Sequence, residues 1–346
     1  MGPPATLTSR SIKKILIRST NWIGDAVMTT PAMGRMRAAF PMAEIVVAAN
    51  PTIAELLDRH PSCDRIIVYD KKGRHRGPGG LLRFCAELRK EEFDLAVLFQ
   101  NAIEAAILAT LARIPIRAGF TTDCRAPLLT HRVSGWRRAR RFHHTDYYLT
   151  MLEGLGIRGG NGRLQLHCTE EELSWAKEQL SDDPWVAVNP GATYGSAKRW
   201  LTERFAAVAD TIAQETPSRI LLIGGPNEGW IAEEVLQKMH TPPLNLAGKT
   251  SVRQLMALLS QCRLLVTNDS GPMHVAAAFA VPIVAIFGST DHRTTSPLSN
   301  SCRIVRKPTE CAPCLKTECP TDHHCMTAVS VTDVLNATRT LLRGHK

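Results

Sequence analysis

The chain has 346 residues, of which 42 are Lys or Arg and 32 are Asp or Glu, a formal charge of +10, with 44% hydrophobic and 21% charged residues. That balance excludes a disordered or collagen-like chain, and ten cysteines over such a length exclude a small disulfide scaffold. The length fits two domains of ~150 residues, each able to bury a full core, and the positive balance points to an anionic partner: nucleic acid, a phosphate-bearing substrate or a membrane surface.

Residues 1–19 (MGPPATLTSRSIKKILIRS) lack the apolar core of a signal peptide. Gly2 and Thr6 fit a myristoylation pattern formally, but Pro3 sits where that pattern needs flexibility, so the match is read as chance. From residue 14 the chain alternates short apolar runs with longer amphipathic ones. Strands are predicted at 14–18 (KILIR), 44–48 (EIVVA), 65–69 (RIIVY) and 94–99 (DLAVLF). Each is short, β-branched and nearly continuous, as strands buried on both faces should be. Helices are predicted between them at 26–39, 52–59, 80–90 and 102–112. This β-α-β-α order implies a parallel sheet with helices on both faces.

The pattern breaks at 121–145, which reads as basic and irregular. Helices follow at 146–155 and 169–180, the second opening with a capping box in which Thr169 takes an orphan amide and Glu172 reaches back. A second β-α series begins at residue 185. Its predicted strands are 185–189 (WVAVN), 219–223 (RILLI), 263–267 (RLLVT) and 282–287 (PIVAIF), and its helices are 202–214, 228–239, 251–261 and 273–280. The longest apolar run, 275–288, is interrupted by Pro282 and falls short of the ~20 residues of a membrane span. A cysteine-rich segment at 311–325 and a last helix at 332–343 complete the chain. The expected class is α/β with two doubly wound Rossmann-like domains, 1–165 and 166–330, followed by a C-terminal helix at 331–346. The expected location is the cytoplasm, with most thiols reduced.

In such sheets ligands bind beyond the carboxyl ends of the strands, so the strand-to-helix loops are the places to look. Facing domains add a cleft. The first loop is Ser19-Thr20-Asn21-Trp22-Ile23-Gly24-Asp25. Its carboxylate is either an N-cap or a group that accepts a proton. The loop after residue 189 (NPGATYGSAKRW) is rich in glycine and hydroxyls, so backbone amides can approach an anion, and Lys198 adds a point charge. It is not a Walker A loop. The loop at 268–274 (NDSGPMH) opens a small-residue helix, and its Ser270 and Gly271 amides would lie at a positive helix end suited to a diphosphate. His274, four residues after Ser270, shares that face; it reads first as a hydrogen-bonded core histidine.

No GxGxxG follows either opening strand, which disfavours a dehydrogenase. There is no Asp-x-Asp to clamp a metal on a nucleotide sugar, and no GxSxG. Two basic runs, 71–77 (KKGRHRG) and 132–144 with Arg132, Arg137, Arg138, Arg140 and Arg141, carry guanidiniums suited to phosphates and carboxylates. Exposed aromatics or a module typical of nucleic-acid binding are not evident. Cys311, Cys314, Cys319 and Cys325, with His323 and His324, have metal-like spacing without the paired CxxC…CxxC form, and read as thiols before they read as a metal site.

NWIGDAVMTTPAM, NPGATYGSAKRWL, NDSGPMHVAAA, FGSTDHRTTSP and CAPCLKTECPTDHHCM together resemble the bacterial lipopolysaccharide heptosyltransferases of glycosyltransferase family nine, most closely the type II enzymes, over residues 14–342. The resemblance implies a GT-B arrangement, two Rossmann-like domains facing an interdomain cleft, with the last helix crossing back to the first domain. It implies transfer of L-glycero-D-manno-heptose from ADP-heptose to the first inner-core heptose of Kdo-lipid A. Asp25 matches the proposed general base. Lys198 matches the lysine on the donor phosphates, and Asp269, Ser270, Gly271 and His274 match the segment that holds the donor. Glu228 is the best match for an acidic nucleoside contact, and Thr193 joins the donor set.

Asn21, Trp22, Lys72, Arg74, Arg76 and Arg132 form the acceptor set, meeting acidic sugars and lipid A phosphates or the anionic inner leaflet. No cofactor or metal is required on this reading, and the protein is expected to be a monomer, peripheral to the inner membrane, with no nucleic-acid partner. Other readings are a type I enzyme acting on Kdo-lipid A, a bilobed sugar-nucleotide epimerase, and a basic two-domain nucleic-acid-binding protein.

Overall fold

A computed structural model describes Leu7 and residues 12–344; residues 1–6, 8–11 and 345–346, among them Gly2, Pro3 and Thr6 of the lipidation-like pattern, lie outside the described residues. The chain divides into two compact units, Met1–His167 and Cys168–Lys346.

The first unit runs β1 (Lys14–Arg18), α1 (Ile23–Ala39), β2 (Glu44–Ala49), α2 (Pro51–Leu57), β3 (Arg65–Val68), α3 (Gly77–Lys90), β4 (Leu95–Leu98), α4 (Ile103–Leu111), β5 (Ile116–Phe120), β6 (His131–Val133), a short α5 (Trp136–Ala139) and α6 (His144–Glu153). Its sheet has the order β3-β2-β1-β4-β5-β6, and every pairing is parallel. The central strands are buried almost throughout, which is why they read as unbroken apolar runs. One core layer packs Phe84, Leu88, Leu98 and Leu108. Within α1, Pro31 cannot donate to the carbonyl of Val27. The Thr30 hydroxyl donates to that carbonyl instead, at 2.7 Å, so the helix continues through the proline.

The second unit runs α7 (Glu170–Leu180), β7 (Trp185–Asn189), α8 (Thr202–Glu215), β8 (Arg219–Leu222), α9 (Gly229–Lys238), β9 (Leu244–Asn245), α10 (Val252–Gln261), β10 (Leu264–Asn268), α11 (Gly271–Ala278), β11 (Ile283–Ile286), α12 (His292–Thr295), β12 (Cys302–Val305), α13 (His324–Thr327) and α14 (Val331–Gly344). Its sheet order, β12-β11-β10-β7-β8-β9, repeats the winding of the first, again all parallel. Thr169 and Glu172 form the capping box at α7. Helix α14 packs against α8, β10, β11 and β12, and its Val334, Leu335 and Leu341 join Trp200 and Phe205 in the second core.

Four strands are absent from the sequence reading: β5, β6, β9 and β12. The segment 121–145, read as irregular, contains the edge strand β6 and the helix α5. Three of the four missed strands are sheet edges or near-edges of two to four residues with polar members, and an edge strand needs no continuous apolar run. In β5 the sequence IRAGF breaks the apolar pattern at Gly119. A Cβ there would lie 3.1 Å from the Arg125 guanidinium and 3.3 Å from the Leu98 carbonyl, so the close passage of Arg125 requires the glycine.

Candidate active site

Both sheets reverse their winding between the first and fourth strands of their unit, between β1 and β4 and between β7 and β10. The loops leaving adjacent strands there diverge to opposite faces and leave a crevice at the carboxyl edge. In the second unit this crevice is built by two asparagines that end β7 and β10. The register sets Thr267 opposite Asn189. Asn189 Nδ2 donates to Thr267 Oγ1 at 2.9 Å and to Ser270 Oγ at 2.8 Å. Asn268 accepts from the Trp200 amide at 3.0 Å and donates to the Pro190 carbonyl at 2.8 Å. These bonds tie the 190–200 loop to the start of α11.

Lys198 and Asp269 meet at this mouth. Lys198 Nζ lies 2.8 Å from Asp269 Oδ2, with the lysine side chain 14% and the aspartate 4% exposed. The same carboxylate oxygen accepts from Thr290 Oγ1 at 2.6 Å, and the ammonium sits 4.9 Å from the Tyr194 ring centroid. At α11, Ser270 is the N-cap residue but makes no side-chain cap, because its hydroxyl faces Asn189 and Thr267. Pro272 has no N–H and the Met273 amide donates to the Ser270 carbonyl at 3.2 Å, so the Gly271 amide is the first-turn donor left for a ligand, and an anion there would be favoured by the helix dipole. His274 is buried one turn on. Lys198, Asp269, Ser270, Gly271 and His274 are thus brought together.

Glu228 and Thr193 have a local task. Glu228 Oε2 accepts from the Gly225 amide at 2.8 Å, and Thr193 Oγ1 donates to Glu228 Oε1 at 3.4 Å. The carboxylate is buried and pressed on Gly191, where a Cβ would approach it to 2.6 Å. It joins the loop after β8 to the loop after β7. Gly195 permits a second close approach: a Cβ there would fall 2.1 Å from the Thr317 carbonyl. That carbonyl accepts from the Ala197 amide at 3.0 Å, and His323 Nε2 lies 3.0 Å from the Ala197 carbonyl. The cysteine-rich segment is therefore a strap that holds the Lys198 loop. Its four cysteines are unbridged, and among the described residues no group of three or more His, Cys, Asp or Glu is placed to hold a metal.

In the first unit Asp25 stands in the first turn of α1, directly beyond β1. Its Oδ1 lies 3.4 Å from His144 Nδ1, both side chains about one-third exposed (31% and 33%). The Asp25 charge and, more strongly, burial hold the Tyr148 hydroxyl well above its ordinary pKa. Asn21 accepts from Arg18 at 3.4 Å through its side chain and from Asn50 at 3.0 Å through its carbonyl. Trp22 is exposed beside them.

The 71–77 run forms a tight loop in which Asp70 accepts from the Lys72 and Gly73 amides at 3.1 and 2.9 Å. Arg74 pairs with Glu87 at 2.6 Å and Lys71 with Glu104 at 2.6 Å. Lys72 and Arg76 carry no ion pair among the described residues. Arg132 is an exposed residue of β6 whose Nε donates to the Leu129 carbonyl at 3.3 Å. Sequence reasoning missed Asn189, Asn268, Thr290 and His144. The asparagines ending two central buried strands were a usable signal, since a buried amide must find partners. Thr290 lay within the quoted FGSTDHRTTSP motif; His144 carried no local signal.

Two doubly wound parallel α/β units of six strands each are the architecture of the GT-B glycosyltransferases. The chain belongs to glycosyltransferase family 9 (heptosyltransferase), whose family model matches residues 81–324. It is 30% identical to the lipopolysaccharide heptosyltransferase 2 of Escherichia coli K12, over 85% of this chain and 88% of that protein. Among solved structures it is similar to a family 9 glycosyl transferase from Veillonella parvula, with TM-score 0.86, 28% identity and 96% and 98% of the two chains covered. It is also similar to the E. coli ADP-heptose LPS heptosyltransferase II, with TM-score 0.81, 28% identity and 96% and 99% covered.

Proposed function

We propose that the chain is an inverting glycosyltransferase that moves L-glycero-D-manno-heptose from ADP-heptose to the first inner-core heptose of Kdo-lipid A. The observation that carries this reading is the convergence of Lys198, Asp269 and the uncapped start of α11 at the second sheet's crevice, in a chain of the heptosyltransferase family.

The chemistry follows from the residues. A diphosphate entering the crevice competes with Asp269 for the Lys198 ammonium, and Thr290 keeps its hydrogen bond to the released carboxylate. As the bond from the anomeric carbon to the ADP oxygen breaks, charge grows on the diphosphate. The ammonium and the Gly271 amide at the start of α11 are in place to meet it, which is where preorganised donors contribute most. Metal is not needed for that step. Glu228, fixed by Gly225 and Thr193, borders the nucleoside side. Asp25 takes the proton from the acceptor hydroxyl as that oxygen attacks the anomeric carbon. A carboxylate is a weak base near neutrality, so orientation supplies much of the rate. Asn21, Trp22, Lys72, Arg74, Arg76 and Arg132 serve the acceptor, and the basic loops rest on the anionic inner leaflet. The enzyme works as a monomer in the cytoplasm, peripheral to the inner membrane, and no helix among the described residues is long and apolar enough to cross it.

The test is ADP release with ADP-heptose and mono-heptosylated Kdo-lipid A, wild type against Asp25→Ala, with product mass as the readout. A gain of one heptose by wild type alone, unchanged by a chelator, is expected. A gain only on Kdo-lipid A without heptose would replace the acceptor by that of a type I enzyme.

A further inference from the structure

Helices α1 and α6 lie against each other in the first unit, and they are pinned at two heights. Near their starts, Asp25 Oδ1 faces His144 Nδ1 at 3.4 Å. Near their ends, Arg35 Nη1 donates to Glu153 Oε1 at 3.1 Å and to the Leu149 carbonyl at 3.3 Å. Ten residues separate the two α1 positions and nine the two α6 positions, about 15 and 14 Å of helix at 1.5 Å per residue. The matched spacing fixes the helices side by side, running the same way, with Asp25 and His144 level.

Helix α6 is also anchored from beneath. Tyr148 is buried and meets Phe99 edge-on, with ring centroids 5.5 Å apart. Tyr147 packs on Phe120 at 4.6 Å and donates to Asn101 Oδ1 at 3.0 Å. His144 sits four residues before Tyr148, on the same helix face, so the imidazole is carried by a rigid element. The pair stands at the carboxyl edge of the sheet, with the His144 ring facing the Asp25 carboxylate. A salt link made for stability alone has little reason to be here, since a pair about one-third exposed contributes ~1 kcal/mol or less.

We infer that His144 is the positioning residue of the proton-accepting carboxylate: its imidazole, with a proton on Nδ1, donates to Asp25 Oδ1 and turns Oδ2 toward the acceptor hydroxyl. This rests on the reading of Asp25 as the base. The 3.4 Å separation is longer than an ideal hydrogen bond, and contacts of this kind tighten when substrate binds. Held in this way, the carboxylate keeps one oxygen for the structure and one for the reaction. The role resembles that of a group that orients a catalytic base without taking the proton itself. The device answers the weakness of a carboxylate as a base near neutrality, because a misplacement of about 1 Å costs up to ~100-fold in rate.

The experiment compares wild type, His144→Leu, His144→Asn and Asp25→Ala in the ADP-release assay, with kcat and both KM values, and melting temperature as the check on folding. Leucine fills the space without a donor. Asparagine places an N–H near the Nδ1 position. His144→Leu is expected to lower kcat at least ~10-fold with both KM values within about twofold, and His144→Asn to recover most of the loss. Full turnover by His144→Leu, with Asp25→Ala inactive, would overturn this inference and leave the base in place. A His144→Asn variant that folds yet stays as slow as His144→Leu would overturn the hydrogen-bond account. Full turnover by Asp25→Ala would remove the base itself, whatever His144 does.

Discussion

Lys198 holds two relationships that a single substitution separates. Its ammonium pairs with Asp269, nearly out of water, and the proposed donor role gives the same ammonium to phosphate. Lys198→Ala is therefore expected to weaken ADP binding by about 1.5–3 kcal/mol, the range of a hydrogen bond to a charged group, and adenosine binding far less. Titration calorimetry with the two ligands checks this, and equal weakening would point to a folding defect. Removing the lysine also strands Asp269 in a buried place, where an unpaired charge is costly; Thr290 softens that cost. At this scale the sequence was informative wherever one residue type has one chemistry. A lysine after a glycine-rich loop and an Asp-Ser-Gly before a helix suggest an anion by themselves. His144 could not be found in that way, because 119 residues of chain separate it from Asp25 and nothing local marks the pair.

Between residue and domain, the extended stretch after α6 is fastened by a histidine. His60 accepts from the Ser62 amide at Nδ1, 3.1 Å, so Nε2 carries the proton toward the Gln165 carbonyl at 3.2 Å. Both nitrogens are committed to the neutral form, and burial pushes the pKa down to about 4. Unfolded, the same imidazole titrates near 6.5. Between those values the unfolded chain binds a proton that the folded one refuses, so this contribution to stability is complete above pH ~6.5 and declines as pH falls toward ~4. His60→Asn is expected to flatten that part of the stability curve, as measured by denaturant titration across the interval; an unchanged slope would assign the acid sensitivity to other groups. Elements were legible where burial on both faces forces a continuous apolar run, as in β1 and β7, whose predicted and observed limits coincide. They were not legible at sheet edges such as β6 and β12, where pairing on one side suffices and HRV or CRIV look like loop.

Each unit of the whole molecule encloses its own core, and the residues proposed to bind the donor all belong to the second. A ligand that binds only the folded second unit stabilises it by about 2.7 kcal/mol at 100 times its Kd. Calorimetry with ADP is expected to raise the transition of the second unit and leave that of the first in place, and Lys198→Ala to shrink the shift. Equal displacement of every transition would mean that the two units unfold as one.

The sequence alone determined the repeated β-α winding, the central strands, and the loops that carry lysine, carboxylate and small residues, because these depend on periodicity and local residue chemistry. It also carried the family motifs. Tertiary structure decided what those motifs touch. The sheet order set Asn189 beside Thr267, the 311–325 segment became a strap on the Lys198 loop, and α6 was laid along α1 so that His144 meets Asp25. Such pairings join residues far apart in the chain. They arise from the packing of whole elements, and a local pattern carries no record of its distant neighbour.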